Sequence, residues 1–339
     1  MVYEITIGIP VYNKEKYVAL TLETALAQTY DSIEFLILDD CGTDGSMDIV
    51  REYQKTHPRG KDIRIVSQPH NMGIGEARNR ILEEARGKYL FFLDADDTIK
   101  PDTIEILVNA AKDYDAQVVM ASYEKIDYYN DITNRNCYVL PFRVFQEENS
   151  LGNYAFHKYG ALQANIWNVL MDLALIRTCG LQFVNTNYWE DMVFKYSLVT
   201  YVSRAVLLPN MTYQYRCHEN SLSNTHNDGT DLHNSIFRNV ATIDVMKMQW
   251  KRLLSKPYFS NWLNFVLRTD YYIICYTLNN EQRIIPSISS LELRNFLYSP
   301  LSFYETLRYG TVQSLFFKIL SQLPAPISIG VIKILQHML

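Results

Sequence analysis

Residues 89–97 read Tyr89-Leu90-Phe91-Phe92-Leu93-Asp94-Ala95-Asp96-Asp97, five apolar side chains in a row and then three carboxylates within four positions. A short unbroken apolar run fits a strand buried on both faces. The acids then stand at its carboxyl end. Working outward, the same grammar repeats. Ile5–Pro10 is a strand and Lys16–Ala27 a helix, with Val18, Leu22, Ala25 and Leu26 on one face. Glu34–Asp40 is a strand ending in Asp39 and Asp40, and Ser46–Lys55 is a helix with Asp44 or Ser46 as its cap. Ile63–Gln68 is a third strand, and Gly75–Arg86 is a helix closed by Gly87. Pro101 opens a helix running to about Tyr114, and Gln117–Ser122 is a fifth strand. Alternating strands and helices predict an α/β fold: a Rossmann-like, mainly parallel sheet flanked by helices. Ligands of such sheets bind beyond the carboxyl ends of the strands. Tyr12, Asn13, Asp39, Asp40, Asp94, Asp96 and Asp97 all fall there.

Past Tyr123 the periodicity blurs, and from Leu232 the chain reads as helical. The expected divisions are residues 1–125, 126–230 and a C-terminal helical region over 231–339. Leu315–Leu339 is apolar with Lys318, Lys333, Pro324 and Pro326 interrupting it, and Phe316, Phe317, Ile319 and Leu320 on one side. Core or dimer packing and contact with a membrane surface both fit such a segment. No apolar run reaches the roughly 18 residues of a membrane span. No basic-then-apolar leader is visible, and none is expected. A formal charge of −5 argues against general nucleic-acid binding. The 25 tyrosines suit strand and core filling, or stacking on flat rings. Five scattered cysteines without a CxxC pair suggest neither a disulfide framework nor a zinc site, and fit reduced thiols in the cytoplasm.

Three acids at one strand end repel one another unless a cation compensates, and oxygen ligands suit Mg²⁺ or Mn²⁺. The alternative is an N-cap: Asp96 or Asp97 ahead of the helix at Pro101. In Asn71-Met72-Gly73-Ile74-Gly75-Glu76-Ala77-Arg78-Asn79, glycines open a helix whose first turns carry Arg78, an arrangement suited to phosphate or to a plain surface arginine.

Taken together, Pro10-Val11-Tyr12-Asn13, Gln28-Thr29-Tyr30, Leu38-Asp39-Asp40-Cys41-Gly42-Thr43-Asp44-Gly45-Ser46, Ala77-Arg78-Asn79 and Leu93-Asp94-Ala95-Asp96-Asp97 resemble, in order and spacing, the family 2 glycosyltransferases of the GT-A fold. The likeness is close over roughly residues 3–125 and then thins. It implies an inverting enzyme that moves a sugar from a nucleotide-sugar, a UDP-sugar, to a saccharide or lipid-linked acceptor in bacterial cell-surface polysaccharide synthesis. By resemblance, Tyr12 flanks the nucleobase beside Pro10, and Asp40 or Asp39 reads the uracil. Arg78 contacts the donor, and Asp94 and Asp96 form a DxD motif around the metal. Cys41 stands where many relatives have Gly or Asp. Tyr188-Trp189-Glu190-Asp191-Met192 resembles the family's ED motif, which makes Asp191 the catalytic base; a capping acid pair is the alternative. Tyr215–Asn224 resembles a loop that closes over the diphosphate, with Arg216, His218 and Ser223 as phosphate contacts and His218 as a further metal ligand. A peripheral location at the inner face of the membrane and a homo-oligomer are compatible with this reading. A dinucleotide oxidoreductase is disfavoured because no GxGxxG follows the first strand, and a nucleotidyltransferase because Pro10–Asn13 is no phosphate loop. A binding or assembly subunit that has lost activity is disfavoured by intact Asp94, Asp96 and Asp191.

Overall fold

The computed structural model describes residues 3–129, 132–158, 160–186, 189–218 and 229–336. Its strands are β1 (Ile5–Val11), β2 (Ile33–Asp39), β3 (Ile63–Ser67), β4 (Tyr89–Phe92), β5 (Thr98–Ile99), β6 (Val118–Tyr129), β7 (Ile132–Tyr138), β8 (Arg143–Phe145), β9 (Val169–Asp172) and β10 (Ala205–Cys217). They form one sheet in the order β3-β2-β1-β4-β9-β6-β10-β5, with β7 on β6 and β8 on β10. The β3-β2-β1-β4 half is parallel, as the alternation predicts. The other half is mixed: β9 runs antiparallel to both β4 and β6, while β10 lies parallel to β6. Together they make the GT-A fold.

The helices among these strands are α1 (Val18–Leu26), α2 (Ser46–Thr56), α3 (Ile74–Glu84), α4 (Thr103–Asp113), α5 (Ser150–His157), α6 (Leu173–Thr178) and α7 (Glu190–Val199). Ile5, Ile7, Ile9, Phe35, Ile37 and Phe91 are fully buried in the sheet. Each such side chain contributes about 1.5–3 kcal/mol of apolar burial. One glycine expectation changes. α3 ends at Glu84, so Gly87 does not cap it; instead a Cβ at Gly87 would stand 2.5 Å from the Thr6 amide of β1. Gly73, just before α3, has φ 86°, a backbone region that a side chain disfavours. Asp96 and Asp97 do not cap the helix after Pro101 either: β5 intervenes, and Asp102 precedes α4.

The chain divides into two compact units, Met1–Leu151 with Ala164–Thr225, and Gly152–Gln163 with His226–Leu339. The expected 1–125 and 126–230 halves thus fall largely in one unit, less residues 152–163 and 226–230. The second unit carries α8 (Gly229–Lys247), α9 (Trp250–Leu253), α10 (Phe259–Asn279), α11 (Ser290–Phe296), α12 (Phe303–Tyr309), α13 (Val312–Gln322) and α14 (Ala325–Leu335). Trp262, Leu263, Val266 and Phe317 are buried in it, as is a Lys247–Asp270 pair at 2.8 Å. The apolar C-terminal stretch breaks into α13 and α14 at Pro324. Phe317 and Leu320 point inward, but Ile319 is 43% exposed, so the expected single apolar face is split. Among the described residues no helix is long and apolar enough to cross a membrane.

Candidate active site

β1 and β2 end side by side, with Val11 opposite Asp39. Beyond them opens a cavity of about 450 Å³, lined by Pro10, Tyr12, Asp40, Asn71, Gly73 and Ile74 among others. Tyr12 is 43% exposed, which leaves its ring open to stacking. Asn13 takes a left-handed φ of 51° and accepts the Thr43 N–H at 2.7 Å, closing the rim. The sequence leaves Asp39 and Asp40 as alternatives, and the structure separates them. Asp39 accepts from the Cys41 N–H (3.0 Å) and the Ser67 hydroxyl (3.2 Å), and does not line the cavity. Asp40 does, and its two oxygens accept the Met72 and Gly73 N–H groups at 2.9 and 3.2 Å. Gly73's positive φ is the local reason those amides can converge. Burial pushes the Asp40 carboxyl above its usual range despite these bonds.

The second cluster lies at the end of β4. Asp94, Asp96 and Asp97 each have a different compensator. Asp97 is buried and accepts the Tyr213 hydroxyl and the Arg216 N–H, both at 2.7 Å. Burial and the neighbouring acids Asp96 and Asp94 hold its carboxyl well above the usual range. It is a latch to β10, a job the sequence does not reveal. Asp96 receives the Lys14 ammonium and lies 2.9 Å from His218 Nε2. Burial works against its ionisation, but the bonds and charges of His218 and Lys14 outweigh burial and hold it low. The His218 ring stacks on Tyr17, with centroids 4.1 Å apart.

Asp94 pairs with Arg78 at 3.2 Å, and the other terminal nitrogen of Arg78 reaches Glu190 at 2.7 Å. The Arg78 side chain is 5% exposed and lies over the Phe183 ring. The expectation that Arg78 contacts the donor meets a fork already engaged at both ends by protein carboxylates. Its visible work is to join the end of β4 to the start of α7. Asn79 reinforces that join by exchanging two hydrogen bonds with the Phe183 backbone at 2.7 and 2.9 Å.

At α7, Trp189 turns through a left-handed φ of 64° into Glu190. For a bulky residue this costs on the order of 1–3 kcal/mol, held by the surrounding structure. Asp191 accepts the Met192 N–H at 2.7 Å, so the capping alternative is partly realised. Burial raises its carboxyl pKa against the opposing pull of Arg78. Burial likewise lifts Glu190 to about 7, against Arg78.

The expected three-ligand metal set is not assembled. Asp96 and His218 meet, while Asp94 is held by Arg78, and among the described residues no three of His, Cys, Asp and Glu converge as a cage. The fit to a divalent ion rests on Asp96 and His218, an oxygen and an imidazole donor side by side, with the Lys14 ammonium standing where a cation would. Arg216 contributes its backbone to Asp97, and Ser223 lies outside the described residues.

A family model for glycosyl transferase family 2 matches residues 6–166. The glycosyltransferase GlyG of Streptococcus pneumoniae is 27% identical over 233 residues, 66% of this chain and 74% of that protein. The chondroitin synthase of Escherichia coli is 33% identical over 166 residues, 49% of this chain but 23% of the synthase. Among solved structures, S. aureus TarS superposes with a TM-score of 0.62 at 18% identity, over 87% of this chain and 48% of that one. Its fragment 1–349 in complex with UDP-GlcNAc superposes with a TM-score of 0.57 at 16% identity, over 94% and 90%. The match to glycosyl transferase family 2 thus spans residues 6–166, which carry the cavity and the Asp94–Asp97 cluster.

Proposed function

We propose that the chain transfers a sugar from a UDP-sugar to an acceptor hydroxyl with inversion at the anomeric carbon, in the building of a bacterial surface polysaccharide. The observation that carries this reading is the Arg78 bridge. One buried guanidinium ties Asp94, on the donor side, to Glu190, the immediate neighbour of Asp191. Glu190 and Asp191 are consecutive residues in the first turn of α7, so the bridge fixes the spacing between the donor-side acid and the catalytic base.

The roles are then as follows. Tyr12 and Pro10 flank the nucleobase in the cavity, and Asp40, already anchored on two amides, offers its remaining lone pairs to the uracil N–H. Asp96 and His218 would hold Mg²⁺ or Mn²⁺, an ion that supplies positive charge to a leaving diphosphate. Asp191 takes the proton of the acceptor hydroxyl as that oxygen attacks the sugar from the face opposite the diphosphate. Its raised proton affinity suits that task. Arg78 orients the acids on either side of it. The complex of the TarS fragment with UDP-GlcNAc supports a uridine donor for a protein of this fold.

A panel of UDP- and GDP-sugars, screened by thermal shift with Mn²⁺, tests the donor assignment, because a ligand that binds the folded state raises apparent stability. Stabilisation by a UDP-sugar is the expected result. Stabilisation by GDP-sugars alone would move the donor class, and none by any nucleotide would favour a subunit without activity.

A further inference from the structure

Lys195 lies on α7 four residues after Asp191, which puts the two side chains on one helical face, a turn apart. Its side chain is buried in the first unit, with the residue 3% exposed, and its Nζ donates to the Asn165 carbonyl at 2.9 Å. A buried ammonium is costly unless it is paired, and a methionine would fill a similar volume without that cost. The Asn165 carbonyl answers one of its three N–H donors. The charge that acts favourably on it is the Asp191 carboxylate.

The surroundings of Asp191 show what a second cation does there. Three carboxylates meet at this end of α7: Asp94, Glu190 and Asp191. Arg78 answers them from α3, but both ends of its fork are bonded to Asp94 and Glu190. Asp191 is left with the Met192 N–H and the field of Arg78 and Lys195.

We propose that Lys195 is a positioning residue for the reaction, its ammonium anchored on the Asn165 carbonyl one turn behind Asp191 and keeping that carboxylate ionised, ready to accept a proton. The proposal rests on the reading of Asp191 as the base. Burial brings the Lys195 amine down to about 7, so the pair is sensitive near neutrality.

The test uses the full chain labelled with ¹³C at the aspartate carboxyls, with the Asp191 signal assigned by its loss in Asp191→Asn. Lys195→Met removes the charge and the donor; Lys195→Gln removes the charge but keeps an N–H for Asn165, and it carries the test if the methionine variant fails to fold. In Lys195→Gln the Asp191 carboxyl is expected to titrate about one pH unit higher than in the wild type, as loss of a nearby opposite charge requires. Lys195→Arg should restore the wild-type titration. UDP release from UDP-GlcNAc with Mn²⁺ should show the same shift of its acidic limb, with UDP affinity unchanged. An Asp191 titration unmoved in Lys195→Gln would overturn the proposal and leave the base reading intact. Wild-type UDP release by Asp191→Asn would overturn both.

Discussion

The cavity beyond β1 and β2 and the acid cluster beyond β4 both hold buried carboxylates, but they satisfy them differently. Asp40 is held by two backbone amides from a nearby glycine turn. Asp94, Asp96 and Glu190 are held by side-chain cations brought from elsewhere in the chain: Arg78 and Lys14, with the imidazole of His218 beside Asp96. Amides are fixed dipoles that leave a binding surface in place. Ion pairs can be exchanged for a ligand's charges or moved by protonation. Under the proposed function the first region recognises, and the second responds to charge.

Removing the proposed base tests the second region hardest. Asp191→Asn should lower turnover by roughly 10²–10⁴-fold, read as UDP release, with UDP affinity nearly unchanged. Next comes Arg78→Met, which strands the buried Glu190 and the half-buried Asp94 and should lower stability by about 3 kcal/mol in chemical denaturation. Arg78→Lys keeps the charge but not the fork, and should fall between that variant and the wild type. In the first region, Asp40→Asn loses one of its two amide bonds and the acceptor for uracil. It should weaken uridine binding about tenfold, the equivalent of about 1.4 kcal/mol, while Asp39→Asn leaves binding unchanged.

The smallest effect is on pH. Glu190 titrates near 7 in the folded protein, raised from 4.5 by burial against the pull of Arg78. The folded state then binds more protons than the unfolded one between those values, so the contribution of Glu190 to stability is full below 4.5 and is lost as pH rises through about 7. Glu190→Gln should flatten that part of the stability profile. Asp270 in the helical unit, lifted to about 7 by burial despite Lys247, adds a slope of the same sign that Glu190→Gln does not touch.

The same contrast explains what a reader of the sequence can see. The parallel half of the sheet, the acids at its rim and the cavity residues Pro10, Tyr12 and Asp40 are readable because each depends on a strand, its turn and the next helix. The mixed half is not, since β9 and β10 pair with strands far away in the chain and show no local alternation that fixes the pairing. The partners of the acids are equally hidden. Tyr213 lies 116 residues from Asp97, and Glu190 lies 112 from Arg78. Lys14 is in view next to Asn13, but nothing in its neighbours points to Asp96. Repulsion among three acids leads to a cation, and the protein supplies several of its own.

In the proposed reaction the two regions bind one ligand together, Asp40 holding the nucleoside and Asp96 the diphosphate end. Calorimetric titration of uridine and of UDP, with Mn²⁺, into the wild type, Asp40→Asn and Asp96→Asn measures this directly. Asp40→Asn should weaken both ligands, and Asp96→Asn should weaken UDP while leaving uridine alone. UDP bound equally well by Asp96→Asn and the wild type would contradict it.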